Sequence, residues 1–231
     1  MPAVKGEILK INPEVNIIDI THNVAPFDIK QAAFILKMVY KNFPDGTIHL
    51  AVVDPGVGSK RKPIIVFSNR YYFVGPDNGI FSYIYDKDSV VYEINVQRNV
   101  SYTFHARDIF GPVAAKLSIG IDIKKLGKRI YRYTKFPFPS IKRQKGKIFG
   151  EIIYIDSFGN LITNIPVKFL LKNIYIEDFD KVNVKKFYAL GKPKEVFAVP
   201  GSSKFYEIVC FKERADERLK IKAGHKVVGI L

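Results

Sequence analysis

Residues 47–62 read TIHLAVVDPGVGSKRK, and the first seven of them decide the fold. The run TIHLAVV is apolar almost without interruption, which suits a central strand covered by helices on both faces. The turn Pro44-Asp45-Gly46 precedes it. Before that turn Asp28 can cap a helix, with Gln31 three places on and Phe27 just ahead; Ile29, Ala32, Ala33, Leu36, Val39 and Tyr40 supply its apolar stripe. Further upstream AVKGEILKI (residues 3–11) has helical spacing and stops at Asn12-Pro13, because the residue before a proline is pushed out of the helical region. VNIIDI (15–20) is rich in β-branched residues and reads as a buried strand. Downstream come strands over residues 64–68, 71–74 and 90–94, and a helix in the second half of DIFGPVAAKLSI (108–119). Strands alternating with helices predict a layered α/β domain.

From Gly127 to Lys147 the composition shifts to Arg, Lys, Tyr, Phe and Pro without a period, the pattern of a linker. Beyond it short strands (148–155, 161–165, 195–199, 205–211 and 226–230) are punctuated by Asp-Ser-Phe-Gly and Pro-Gly turns, which predicts a small antiparallel, barrel-like β domain. The expected organisation is an α/β N-terminal domain over residues 1–135 and the β domain over 146–231. The chain has 231 residues, 47% of them apolar, enough to bury such cores. No apolar run approaches the roughly 18 to 20 residues of a membrane-spanning helix, and the N-terminus lacks a secretory signal, so the expectation is a cytoplasmic protein without a membrane partner. The single cysteine, Cys210 in FYEIVCF, reads as a small hydrophobe in a buried strand.

The formal charge is +15, from 37 Lys plus Arg against 22 Asp plus Glu. Such a field attracts anions, but the lysines are scattered, and no reader helix, zinc ligand set or RNP-type aromatic strand accompanies them, which disfavours a nucleic-acid partner. The four histidines, His22, His49, His105 and His225, are far apart and lack metal-ligand spacing, so no structural zinc is expected.

Three polar clusters lie where strands end in glycine-rich turns or loops, the usual place for function in an α/β sheet. In the first, Asp54 leaves the apolar strand and Gly56 and Gly58 let the chain turn, so that Arg61 can swing back over the same cavity. An ordinary Asp-Pro-Gly turn accounts for the same residues. The second is FHARDIFGP (104–112), in which His105 is the best group for exchanging protons near neutral pH; a capping loop built on Asp108 is the plainer reading. In the third, DSFGN (156–160), Phe158 could stack on a flat ring while Asn160 offers a donor and an acceptor, or the segment could be a tight hairpin turn.

Taken in order, VVDPGVGSKRK, GPDNGIFS (75–82), TFHARDIFGP (103–112), YIDSFGNLITNI (154–165) and ADERL (215–219) resemble the S-adenosyl-L-methionine hydrolases, also called hydroxide adenosyltransferases, relatives of the fluorinases and chlorinases. The resemblance implies an enzyme that cleaves S-adenosylmethionine (SAM) to adenosine and methionine by attack of water at the ribose 5′ carbon. It implies catalytic roles for Asp54, Arg61 and His105, contacts of Phe158 and Asn160 with adenine, and contacts of Asp156 and Ser202 with the methionine portion. The halogenating relatives lack the catalytic trio, which favours water over halide. The resemblance further implies a homotrimer with substrate between subunits, and no metal or other cofactor. Members of that family open on a strand ending in Thr-Asp-Phe-Gly, ahead of the helix matching AVKGEILKI. This sequence starts at the helix, so the expectation is a sheet short of one strand, with an unpaired edge and weakened substrate binding. The alternative reading is a catalytically impaired relative that binds adenosine or nucleic acid as a basic module.

Overall fold

The computed structural model describes residues 1–96, 100–177, 179 and 181–231. It divides the chain into two compact units, Met1–Pro137 and Phe138–Leu231.

The N-terminal unit opens with α1 (Pro2–Ile11), whose proline sits in the first turn, where its missing N–H costs nothing. Val4 and Ile8 bury one face of α1 against Ala115. Helix α2 (Ile29–Val39) starts where expected: the Asp28 carboxylate accepts from the Gln31 amide at 2.8 Å. Phe27 does not staple it, being 75% exposed with a φ of 68°. Five strands follow: β1 (Ile48–Leu50), β2 (Pro63–Ser68), β3 (Tyr71–Pro76), β4 (Val90–Ile94) and β5 (Gly127–Ile130). Their spatial order is β1-β3-β2-β4-β5, with β1 parallel to β3 and every other pairing antiparallel. Ile64 and Val66 of β2 pack with Phe73, Ile80, Phe81 and Ile84 on one side. On the other, Ile65 and Val74 meet Ile109, Phe110 and Val113, the last from helix α3 (Gly111–Ser118). The sheet is therefore covered on both faces, as an α/β layer requires.

Three expectations fail here. The stretch 47–53 is not central: β1 keeps only three residues in the ladder and lies at the edge of the sheet. Residues 15–20 form no strand, and Ile18 and Ile20 are exposed. Residues 15–21 and 48–53 instead line one largely apolar cavity of about 770 Å³, together with residues of α1 and α2. β-Branched residues favour a strand only where a neighbouring ladder receives them, and among the described residues none reaches 15–20. The presumed linker from Gly127 carries two strands: β5, which completes the first sheet against β4, and β6 (Lys142–Gln144), which opens the second unit.

The C-terminal unit is antiparallel throughout its named ladders. After β6 come β7 (Lys147–Ile155), β8 (Leu161–Pro166), β9 (Asn173–Ile176), β10 (Lys181–Asn183), β11 (Val196–Pro200), β12 (Phe205–Cys210) and β13 (Lys226–Ile230). Their order is β10-β9-β13-β7-β8-β12-β11, with β6 on β7. A parallel bridge from Val184 to Ala198 brings the two ends of that path together, so the sheet is nearly closed, a barrel-like form that leaves little free edge. Ile148, Ile152, Leu161, Ile165, Ile174 and Ile208 fill it. Cys210 is buried there as a free thiol, and burial pushes it up from its ordinary value.

Candidate functional site

The loop after β1 returns on itself because Gly58 adopts φ +77°; a side chain there would also lie 2.6 Å from the carbonyl oxygen of Tyr102. That close approach sets the 54–61 loop against the segment that carries His105. Immediately after His105 the backbone makes a π turn over Ala106–Phe110 before relaxing into α3. Such turns hold one residue more than an α-helical turn and mark functional positions more often than chance.

These two loops bring the first two sequence clusters together. Arg61 Nε donates to Asp54 Oδ1 at 3.0 Å, Arg61 Nη2 donates to Asp54 Oδ2, and the same Nη2 meets His105 Nδ1 at 2.7 Å. The Arg61 and Asp54 side chains are only 9% and 6% exposed. The guanidinium carbon lies 5.2 Å from the centre of the Phe110 ring, so an aromatic face backs the cation. A guanidinium can only donate, so His105 Nδ1 accepts, and a neutral imidazole carries its proton on Nε2. Burial first, and the Arg61 charge second, hold His105 below the usual histidine range, against the opposing pull of Asp54 and Asp108. Arg61 Nη1 is buried with no hydrogen-bond partner among the described residues, a donor free to meet an oxygen. Asp108 does not cap a helix: it accepts from the Ser101 amide at 2.8 Å and pairs with Arg107, which holds it below the carboxylate range.

The third cluster belongs to the C-terminal unit, between β7 and β8. Asp156 Oδ1 accepts from the amides of Phe158 and Asn160, both at 2.9 Å, and Oδ2 accepts from Asn160 Nδ2 at 2.9 Å. The Asp156 carboxylate thus shapes its own turn, and Asn160 keeps its Oδ1. Gly159, at φ +81°, has no room for a side chain beside Asp216 and Arg214. The result is a Phe158 ring 76% exposed at the rim of a cavity of about 580 Å³. Facing the same cavity are Tyr188, Lys212 and Arg214, which the sequence did not single out as site residues. Tyr188 is fixed at both ends: its hydroxyl accepts from the Lys212 amide at 2.8 Å and donates to the Cys210 carbonyl at 3.2 Å, while its ring packs on Phe211. Arg214 donates to the Ser157 carbonyl at 2.8 Å and to Asp216 at 2.9 Å. Two aromatic rings and a guanidinium around an open cavity suit a flat, heteroatom-rich ring. Ser202 sits apart from this cavity, exposed in the turn between β11 and β12. Among the described residues no group of three or more His, Cys, Asp or Glu is placed to hold a metal ion.

The chain is thus a two-unit α/β and β protein, with a hydrogen-bonded Asp–Arg–His cluster in one unit and an aromatic-rimmed cavity in the other. It belongs to the SAM hydroxide adenosyltransferase family, whose N-terminal domain matches residues 1–127 and whose C-terminal domain matches residues 150–228. It is similar to the (R)-S-adenosyl-L-methionine hydrolase of Methanocaldococcus jannaschii, at 34% identity over 95% of this chain and 86% of that one. The enzyme of the same name from Thermus thermophilus is 28% identical over 97% and 92%. In structure it is similar to a conserved protein of Thermotoga maritima, with a TM-score of 0.91 at 32% identity, covering 100% of this chain and 94% of that one.

Proposed function

We propose that the protein hydrolyses SAM to adenosine and L-methionine. The observation that carries this reading is the single guanidinium held by Asp54, touching His105 and keeping one donor unused. Departure of methionine as a neutral thioether from a sulfonium needs no metal or cofactor to assist it; the enzyme's task is to align a water behind the 5′ carbon and remove its proton. A water inserted between Arg61 and His105 accepts N–H bonds from the guanidinium and donates O–H to His105 Nδ1. Asp54 keeps both of its bonds meanwhile, so Arg61 loses nothing but the direct imidazole contact. Charge building on the oxygen is met by the fixed cation. The oxygen bonds to the 5′ carbon as the carbon–sulfur bond breaks, the sulfur keeps the electron pair, and His105 holds the proton before releasing it to solvent.

Phe158, Tyr188 and Asn160 would hold the adenine, and Asp156 and Ser202 the methionine end. The resemblance to the hydrolases adds a homotrimer to the reading, in which the N-terminal unit of one protomer and the C-terminal unit of the next share a substrate. A cytoplasmic location goes with a substrate that cells make and use internally. The test is incubation with SAM in H₂¹⁸O. Adenosine and methionine should appear in equal amounts, with the label in the 5′ hydroxyl of adenosine and none in methionine. Absence of adenosine, or label elsewhere, overturns the reading.

A further inference from the structure

Glu207 belongs to no function described so far, and its surroundings are unusual. It sits in the middle of β12, opposite Ile162 of β8 and Val199 of β11, at an irregularity in the register. Its neighbours Tyr206 and Ile208 point into the barrel core, so strand alternation turns Glu207 to the other face. There its carboxyl lies against Gly201: a Cβ built on that glycine would stand 2.0 Å from Oε1 and 2.4 Å from Cδ. The glutamate occupies the volume that a side chain at position 201 would need. Gly201 begins the turn that joins β11 to β12, closed by Gly201 N to Phe205 O at 2.9 Å and Lys204 N to Gly201 O at 3.1 Å. That turn carries Ser202 and Ser203. Among the described residues no Lys, Arg or His pairs with Glu207. Burial, and then the charge of Asp156, push its carboxyl above the ordinary range, while the Ser203 hydroxyl works the other way.

A half-buried carboxyl without a cation, beside a second carboxylate, costs stability. Simple packing against Gly201 would be served better by an apolar side chain. We propose that Glu207 is a positioning residue for the amino-acid end of the substrate: its carboxyl buttresses Gly201 and so sets the turn that presents Ser202. The proposal rests on the hydrolase reading and names the element that would distinguish the methionine tail from a bare sulfonium. The Asp156 charge also reaches Glu207 while its oxygens hold the 156–160 turn.

The experiment compares SAM with 5′-dimethylsulfonio-5′-deoxyadenosine, which keeps the adenosine and the sulfonium but lacks the amino-acid end. Glu207→Ala should raise KM for SAM about tenfold with kcat changed less than about twofold, and leave both constants for the truncated substrate unchanged. Glu207→Gln keeps the shape and an acceptor, so it should restore KM to within about threefold of wild type. Gly201→Ala, which displaces the carboxyl without removing it, should repeat the selective loss if Glu207→Ala fails to fold. Equal losses on both substrates, or a Glu207→Ala protein with unchanged KM for SAM, overturn the positioning role alone. A wild-type protein that cleaves neither sulfonium overturns the hydrolase reading and this role with it.

Discussion

Asp54→Ala and Arg61→Ala, made singly and together, test whether the trio is a buried, coupled unit. With side chains 6% and 9% exposed and joined by two hydrogen bonds, removal of either partner strands a desolvated charge. Breaking a buried pair from one side costs about 3 kcal/mol or somewhat more. Arg61 already keeps Nη1 without a partner, so loss of Asp54 leaves the cation with little besides His105 and the Phe110 ring. Each single variant should therefore be less stable by about 3 kcal/mol, a fall in Tm of about 6–12 °C for a chain of this size. The double variant should cost little more than either one, a coupling of about 2–3 kcal/mol. Urea titration followed by circular dichroism reads the stabilities, and chromatographic release of adenosine should fall at least about a hundredfold in each variant. Additive losses below about 1 kcal/mol each would refute the description of the pair as buried and mutually dependent.

Because burial and Arg61 lower His105, its neutral form is present at pH 7, and the acid limb of kcat/KM should lie below pH 6.5. Asp54 opposes that lowering, so Asp54→Asn should move the limb to still lower pH in a profile of adenosine release; an upward move contradicts the electrostatics. His49 is 4% exposed, stacks on Phe73 and is pushed down to about 4 by burial. The unfolded chain therefore binds a proton there between about pH 6.5 and 4 while the folded one does not. This group's contribution is complete above pH 6.5 and is lost as the pH falls towards 4, a difference of roughly 3 kcal/mol. His49→Phe should flatten the stability of the N-terminal unit across that window in denaturant titrations at stepped pH, and an unchanged slope would show that the ring is not the cause. Tyr188→Ala and Phe158→Ala should each weaken adenosine binding by about 1–3 kcal/mol if the rings stack on the base, read by calorimetric titration; affinity within a factor of two of wild type removes them from the site.

Much of this architecture was legible because its periodicities are local. Residues 90–94 and 226–230 coincide with β4 and β13, and the Asp28 cap marks the true start of α2. What failed depended on neighbours. VNIIDI has strand composition, but composition cannot say that no ladder lies beside it, and TIHLAVV cannot report that it ends at a sheet edge. Gly127–Ile130 looked like linker because its composition is charged and without a period, yet Lys128 and Arg129 are simply exposed on an outer strand. Within the site, Asp54, Arg61 and His105 stood out separately as polar groups at strand and loop ends. The Arg61–His105 contact spans 44 positions, a distance over which sequence spacing carries no geometry. Tyr188 gave no signal: in KKFYALGK it resembles any aromatic residue in a surface turn. Glu207 was equally silent, since alternation alone places it outward, and only the missing side chain at Gly201 reveals what it touches.

The π turn after His105 has an evolutionary corollary. Each residue of an α-helix advances about 100° around the axis, so deleting one residue within Ala106–Phe110 would tighten the turn to ordinary helical winding and swing the imidazole by about that angle. The apolar side of α3 would stay seated, because Val113, Ala114 and Leu117 lie beyond the deletion. A chain with this scaffold can thus reorient its proton acceptor through a single codon lost or gained, with the repacking confined to Ile109 and Phe110, the two buried residues of the turn.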